Sequence, residues 1–376
     1  MNKTKVAVII TKLELGGAQK VAISICEKID KTKFEPFLIC GCGGILDEET
    51  KNKIRVIFIK DLVREINPIK DLKALYSIFK VLKHEKPNIV HTHSSKAGIV
   101  GRLAARMCGI KNIIHTIHGF SFNDTQSFLK KNLFIFLEKL GAKFSKYLIP
   151  VSIENTTKGL QNNIGKEEQY HYIRLGVDIE NFKNFKDKPS LKQELNINEK
   201  DFLVTTIGPF KPQKNLPDFI KTANEISKNN KNFKFVIVGD GVLRTDFEKM
   251  ITDYNISQNI FLIGWRRDIS NILNSSDFFV MTSLWEGLPI STIEALSCGL
   301  VPIVNDVDGQ REIIKDGFNG FLIKPHDIKS IEEKILLLIN NPDLKNKMSD
   351  NAKNSIDYTF SIDHMIKQHE DLYLTL

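Results

Sequence analysis

Two carboxylates and the turn between them offer the first chemistry in this chain. Glu286 and Glu294 stand with seven residues between them in the run Leu284-Trp285-Glu286-Gly287-Leu288-Pro289-Ile290-Ser291-Thr292-Ile293-Glu294-Ala295-Leu296. The pattern predicts a strand ending near Ser283, a Gly-Pro turn, and a helix opening around Ser291. Backbone N–H groups at such a helix start, from Leu288 to Ser291, make an anion site that suits a diphosphate. Both glutamates flank that site, so one can hold a sugar and the other the hydroxyls of a ribose. The competing reading makes Glu294 a partner of the helix dipole and Glu286 a solvated loop acid; spacing leaves both open. The nine histidines are the other reactive group. His91 and His93 share one face of a strand end, and His115 and His118 follow on a neighbouring segment. No carboxylate joins them in a metal-binding spacing such as HExxH. They are read as packing and hydrogen-bonding at strand ends, and no metal site is expected.

The elements around these residues alternate. Val6–Ile10, Pro36–Cys40, Val56–Ile59, Ile89–His91, Asn112–Ile117 and Lys146–Val151 read as strands, with helical patterns at Gln19–Asp30, Ile69–Glu85, Ala97–Cys108 and Ser127–Ser145. Alternation of this kind implies a parallel sheet with helices on both faces. A polar, Lys/Asn-rich stretch from Asp178 to Asp201 reads as a linker. A second series follows, with strands at Phe202–Ile207, Phe235–Val238, Ile260–Ile263, Phe278–Met281 and Val301–Val304. Its helices are Pro217–Lys228, Thr245–Tyr254, Thr292–Ser297, Ile331–Ile339 and Asp343–Tyr358. The expected architecture is α/β, two doubly wound domains in tandem: 1–178, rejoined by a last helix over 357–376, and 179–356. In such sheets ligands bind beyond the carboxyl ends of the strands, which points to a cleft between the domains.

Composition narrows the class. The 376 residues are 42% hydrophobic and 26% charged, the balance of an ordinary globular protein. No apolar window is long enough for a transmembrane helix. The N-terminal Val6–Ile10 run is followed by Lys12 and Glu14 rather than a cleavage site, so it reads as a buried strand and not a signal peptide. Five scattered cysteines, Cys26, Cys40, Cys42, Cys108 and Cys298, suit a reducing cytoplasm better than a disulfide framework or zinc site. Up to Gly176 there are 29 Lys and Arg against 16 Asp and Glu, a balance of +13, whereas the remainder carries −5. The first half is therefore expected to face something anionic, with nucleic acid, a phosphorylated acceptor and an anionic membrane surface all open at this point.

The frame EGLPISTIEAL-x-CG resembles the signature of the GT-B retaining glycosyltransferases of family 4, and the resemblance extends over essentially the whole chain. Leu15-Gly16-Gly17-Ala18-Gln19 is similar to the family's acceptor-side glycine loop. His91-Thr92-His93-Ser94-Ser95-Lys96-Ala97-Gly98 and His115-Thr116-Ile117-His118-Gly119-Phe120 match N-domain blocks. Val238-Gly239-Asp240-Gly241, Phe261-Leu262-Ile263-Gly264-Trp265 and Pro302-Ile303-Val304 match donor-domain blocks. The resemblance implies that Glu294 binds the ribose of a nucleotide sugar and that Glu286 sits near the donor sugar and its diphosphate. It implies that the backbone of Gly287, Leu288, Pro289 and Ile290 holds the phosphates and that of Ile263 and Trp265 the base. Gly16 and Gly17 would let main chain approach the donor, and His118 would line the reaction centre from the N-domain. In Gly208-Pro209-Phe210-Lys211-Pro212-Gln213-Lys214-Asn215, Lys214 stands where the family has its phosphate-binding Lys, but Pro209 replaces a common Arg. Fixed cations stabilise a departing diphosphate without a metal. Lys211 is expected to supply the missing charge; the alternative leaves Lys211 solvated and Lys214 alone.

Projected as a helix, Ser127–Tyr147 places Leu129, Leu133, Phe136, Leu137, Leu140 and Phe144 in one stripe, expected to face the core. Lys131, Lys139, Lys143 and Lys146 gather opposite, with Phe128 and Ile135 among them, a face suited to anionic lipids or simply to solvent. The resulting expectation is a metal-independent retaining glycosyltransferase with no cofactor, peripheral on the cytoplasmic membrane face. It would move a hexose or N-acetylhexosamine from a UDP-sugar to a polyprenyl-diphosphate-linked glycan. Rivals are a nucleotide-sugar epimerase of the same fold and a non-catalytic nucleotide-sugar-binding protein. A dehydrogenase lacks its full GxGxxG after the first strand. Nucleic acid is not expected as a partner, because the aromatics lie in apolar elements rather than on an exposed stacking platform.

Overall fold

The computed structural model describes residues 3–122, 126–183 and 190–376. The chain divides into two compact units, Met1–Gly176 with Ile362–Leu376, and Val177–Ser361.

In the first unit the strands are β1 (Thr4–Ile9), β2 (Phe34–Cys40), β3 (Val56–Phe58), β4 (Ile89–His93), β5 (Asn112–Ile117) and β6 (Tyr147–Pro150). They form one parallel sheet in the order β3-β2-β1-β4-β5-β6. The helices are α1 (Gly17–Lys28), α2 (Asp47–Lys51), α3 (Pro68–Glu85), α4 (Ser95–Met107), α5 (Phe128–Phe144) and α6 (Ile153–Gln161). Val6 to Ile9 are buried on both faces, as a strand covered by helices on two sides requires. The strand order reverses between β1 and β4, which makes their carboxyl ends a topological switch point. There Thr11 Oγ1 lies 2.7 Å from Ser94 Oγ, and Ser94 holds a φ of 61°. α4 packs between α3 and α5. Its small residues allow close approach: a Cβ on Gly98 would lie 2.5 Å from the His115 ring, and one on Gly101 would lie 2.9 Å from Thr92.

The second unit opens with α7 (Ile179–Lys183) and α8 (Leu191–Glu194). This corrects the linker expected over 178–201. Ile179, Phe182 and Leu191 are buried, and Leu191 joins a core cluster with Leu203, Val236 and Ile272. Three apolar side chains scattered among Lys and Asn are enough to dock the segment. The middle of that stretch, 184–189, lies outside the described residues. β7 (Phe202–Ile207), β8 (Phe233–Val238), β9 (Ile260–Leu262), β10 (Phe278–Met281), β11 (Pro302–Asn305) and β12 (Phe321–Ile323) make a second parallel sheet, ordered β12-β11-β10-β7-β8-β9. Its order reverses between β7 and β10. α9 (Leu216–Asn229), α10 (Arg244–Asp253), α11 (Ile269–Asn274), α12 (Ile290–Ser297), α13 (Ile328–Asn340) and α14 (Pro342–Asn354) cover it. α15 (Ile362–Leu374) then returns to the first unit and packs on α1.

The orientation of α5 is the reverse of the projection. Leu129, Leu133, Phe136 and Leu140 are exposed, while Glu138, Gly141 and Ala142 are buried and Ile135 packs on the cluster of Ile117, Phe120 and Phe122. The cause is Arg102 of α4. Fully enclosed, it donates to the Gly98 carbonyl at 2.8 Å and to Glu138 at 3.1 Å. Gly141 leaves room for the guanidinium, which a Cβ there would meet at 2.3 Å. An unpaired buried charge costs several kcal/mol, so this ion pair, not the apolar period, sets the rotation of the helix.

Candidate active site

In the second unit the two strands flanking the switch point deliver the chemistry. The tight turn at Pro212–Lys214 follows β7, and the loop 282–289 follows β10. Lys214 Nζ lies 2.6 Å from Glu286 Oε1, with the side chains only 13% and 8% exposed. Both loops are stitched in place. The Leu284 amide donates to the Gln213 carbonyl at 2.8 Å, and Gln213 Nε2 donates to the Trp285 carbonyl at 2.8 Å. Thr282 Oγ1 donates to the carbonyls of Lys214 and Asn215, and Asn305 Nδ2 donates to those of Thr282 and Ser283. Polar side chains on the strand ends thus fix the backbone that presents Lys214 and Glu286.

α12 begins at Ile290 behind Pro289, and no side chain caps it. The amides of Thr292 and Ile293 donate to the Pro289 carbonyl, which leaves those of Ile290 and Ser291 at the positive end of the helix dipole. Gly287, Leu288 and Pro289 are buried. The next loop is packed on them so closely that a Cβ on Gly309 would stand 2.0 Å from the Gly287 carbonyl oxygen. Glu294 follows one turn into α12 and is 4% exposed. Ile263 and Trp265 lie half-buried after β9, where the Gly239 amide donates to the Gly264 carbonyl at 2.8 Å. Gly239 has a φ of 139°, and a Cβ on it would stand 2.0 Å from the Gly208 carbonyl. The loops after β7, β8 and β9 are thereby drawn together. Lys211 is half-buried at the start of the turn that Lys214 ends.

In the first unit Gly16 precedes α1, whose N-terminus carries no side-chain cap. The φ of Gly16 is −147°, open to any residue, and a Cβ there would meet the flexible end of Gln19. Gly17 is the first residue of the helix. His118, just past β5, pairs through Nε2 with His93 Nδ1 at 3.0 Å. His91 contacts Tyr373 OH at 2.5 Å and Thr116 Oγ1 at 2.7 Å. His115 faces the other side of the sheet and pairs with Thr92 at 2.9 Å. Burial, with His369 nearby, pushes His118 down to about 3; burial pushes His369 down to about 4. Burial likewise holds His91, His93 and His115 well below the ordinary range. These rings are neutral at pH 7, so each nitrogen is either a donor or an acceptor. His118 Nδ1 and His93 Nε2 are buried and have no partner. One proton lies between the paired nitrogens, so the two outer ones have opposite character: when His118 Nδ1 is an acceptor, His93 Nε2 carries hydrogen.

Sequence reading missed His369 and Tyr373, which α15 brings under β4, and Asn305 and Gln213, which stitch the loops. The four-residue spacing of His369 and Tyr373 on one helix face was the available signal. The residues assigned to a membrane face divide. Phe128, Lys143 and Lys146 are exposed, Lys131 and Lys139 are half-buried, and Ile135 packs inward.

The chain matches the model of the family described as Glycosyltransferase Family 4 over residues 15–181, and that of Glycosyl transferases group 1 over residues 187–355. It is 38% identical to the UDP-Gal:alpha-D-GlcNAc-diphosphoundecaprenol alpha-1,3-galactosyltransferase of Escherichia coli, covering 100% of this chain and 98% of the relative. It is 29% identical to the N,N'-diacetylbacillosaminyl-diphospho-undecaprenol alpha-1,3-N-acetylgalactosaminyltransferase of Campylobacter jejuni, covering 87% of this chain and 88% of that one. Among solved structures, an Anabaena protein in complex with UDP and glucose shares the fold, with a TM-score of 0.85 at 19% identity over 99% of this chain and 100% of that one. WaaG, a glycosyltransferase involved in lipopolysaccharide biosynthesis, shares it with a TM-score of 0.79 at 15% identity, covering 98% of this chain and 99% of that one.

Proposed function

The chain belongs to the family 4 and group 1 glycosyltransferases, and on that premise we propose that it transfers a hexose or N-acetylhexosamine from a UDP-sugar to a polyprenyl-diphosphate-linked glycan. The transfer retains the anomeric configuration, requires no metal, and takes place at the cytoplasmic face of the membrane. The observation that carries this reading is the Lys214–Glu286 contact at the switch point between β7 and β10. A cation held there beside an uncapped helix N-terminus stabilises the charge that a diphosphate gains as it departs. Glu286 fixes the ammonium in place, and Glu294 holds the ribose.

The bond from the anomeric carbon to the phosphate oxygen breaks as the acceptor hydroxyl oxygen bonds to the same carbon on the same face. The hydroxyl proton passes to the departing phosphate, so no separate base is needed. His118, neutral at working pH, serves as a hydrogen-bonding group toward the sugar and not as an acid. The lipid-linked acceptors named for the Escherichia coli and Campylobacter jejuni relatives support the acceptor class, and the basic first unit supports contact with an anionic membrane.

A thermal-shift panel of UDP-, GDP- and ADP-sugars, with and without EDTA, tests the reading, because a bound ligand raises the melting temperature by mass action. A shift with one UDP-sugar, unchanged by EDTA and lost in Glu294→Ala, is expected. Absence of any shift, with or without a polyprenyl-diphosphate glycan, overturns it. NMR of the product linkage checks retention.

A further inference from the structure

Monomeric proteins seldom leave rows of large apolar side chains in water, yet the first unit has two. On α5, Phe128, Leu129, Leu133 and Phe136 are 54–81% exposed. At the start of α3, Ile66, Ile69, Leu72 and Tyr76 are 57–71% exposed. Both rows follow helical spacing, and both helices flank α4 on the same face of the sheet. Hydrogen bonds show that their N-terminal ends gather at one edge. Lys96, in the first turn of α4, reaches Asp71 of α3 at 2.7 Å. Ser95 bonds Ser121, whose carbonyl accepts from Gln126 just ahead of α5. His93 ends β4 at that same edge, and Ser94 follows it ahead of α4.

Lysines dominate the charge around the rows. Lys70, Lys73 and Lys80 lie on α3, and Lys130, Lys131, Lys139 and Lys143 on α5. The acids of these helices are engaged elsewhere: Asp71 with Lys96, Glu85 with Lys5 and Arg55, Glu138 with Arg102. Glu65 sits in the loop ahead of α3. Apolar rows set among lysines are the pattern of helices that lie in the plane of an anionic bilayer.

We propose that α3 and α5 form a two-helix platform that seats the first unit on an anionic phospholipid surface, with the carboxyl edge of its sheet, where His93 and His118 lie, next to the headgroups. The platform rests on the reading of a lipid-linked acceptor and adds which surface meets the membrane. Such a surface would bring a diphosphate held at the headgroup level to the strand ends without lifting its lipid from the bilayer. The Arg102–Glu138 pair serves it indirectly, by keeping the large side chains of α5 outward.

The test is co-sedimentation of the full chain with phosphatidylcholine vesicles, alone and with about a third phosphatidylglycerol. Anionic vesicles should bind at least about tenfold more protein than neutral ones. Leu72→Ser with Tyr76→Ser, and Leu133→Ser with Phe136→Ser, should each lower binding about tenfold, and the fourfold variant should abolish it. These side chains are exposed, so the melting temperature should stay within a few degrees. Equal binding by the fourfold variant and the parent overturns the proposal. So does a parent that ignores vesicles but forms a dimer which the fourfold variant breaks, because the rows would then meet a second copy. The thermal shift with a UDP-sugar separates the two readings: if it persists while vesicle binding fails, the platform is wrong and the transferase reading stands.

Discussion

An enclosed carboxylate–cation pair in the first unit contrasts with one in the second. Arg102–Glu138 is sealed between α4 and α5, with side chains 0% and 5% exposed. Lys214–Glu286 is also close, but it joins two loops at a topological switch point, and its lysine keeps a measure of access. A buried pair behind helices can only hold elements in register. A pair beyond strand ends, beside a free helix N-terminus, still has ammonium hydrogens to offer a ligand. Position in the topology, more than depth of burial, separates scaffold from site.

Replacing one member of each pair should therefore break different observables, and the site should show the larger effect. Lys214→Ala is expected to lower kcat about a thousandfold, a loss of roughly 4 kcal/mol of transition-state stabilisation. Its melting temperature should move by only a few degrees. Steady-state turnover with the UDP-sugar picked out by the thermal-shift panel, beside a melting curve, checks both. Arg102→Met should do the opposite. It leaves Glu138 buried without a partner, so urea denaturation should show a loss of about 3–5 kcal/mol. Turnover per folded molecule should stay within about twofold, and adding Glu138→Leu should restore much of the stability.

That contrast also explains which parts of the molecule could be read from sequence. The strand–turn–helix at Glu286–Glu294 is local, and Gly, Pro and the following helical period announce it within a dozen residues. Most strand positions were equally legible, because strands covered on both faces are runs of apolar residues, whereas the three-residue edge strand β12 (Phe321–Ile323) was missed. The rotation of α5 was not. Its apolar period reveals an amphipathic axis, but which side faces inward depends on Arg102, 36 residues before Glu138. A rule that turns the larger apolar stripe inward fails where a small-residue face and a buried charge compete with it. The stretch read as a linker failed for a related reason: a few buried anchors such as Phe182 and Leu191 carry no periodicity. His369 and Tyr373 were invisible as partners of His91 because only the fold returns the end of the chain to β4.

The histidine cluster sharpens the comparison through pH. His118 and His369 sit at about 3 and about 4 in the folded protein, below an ordinary value near 6.5. The unfolded chain therefore takes up protons first as the pH falls. Stability is fully present above about pH 6.5 and is lost progressively toward pH 4, by roughly 1.4 kcal/mol per unit for each ring. Urea denaturation at pH 7, 6 and 5 should show this slope, and His369→Gln should flatten it by one ring's share. Among the described residues no histidine contacts Lys214 or Glu286, so any loss of nucleotide-sugar binding at pH 5 should follow unfolding and not precede it.

The smallest expected effect concerns Lys211, the residue expected to make up for the cation missing at Pro209. Lys211 and Lys214 lie three apart at the two ends of one tight turn. Lys211 is the extended residue that leads into the turn, so a second ammonium stands only three residues from the one that Lys214 presents. Pro209 itself offers no cation, and the buried Phe210 beside it anchors the turn against Phe247, with ring centroids 5.3 Å apart. If Lys211 shares the departing diphosphate, Lys211→Ala should lower kcat about tenfold, roughly 1.4 kcal/mol. Pro209→Arg in that background should recover part of the loss by restoring a cation from the neighbouring position. A Lys211→Ala enzyme that turns over at the parental rate would assign the diphosphate to Lys214 and the α12 amides alone.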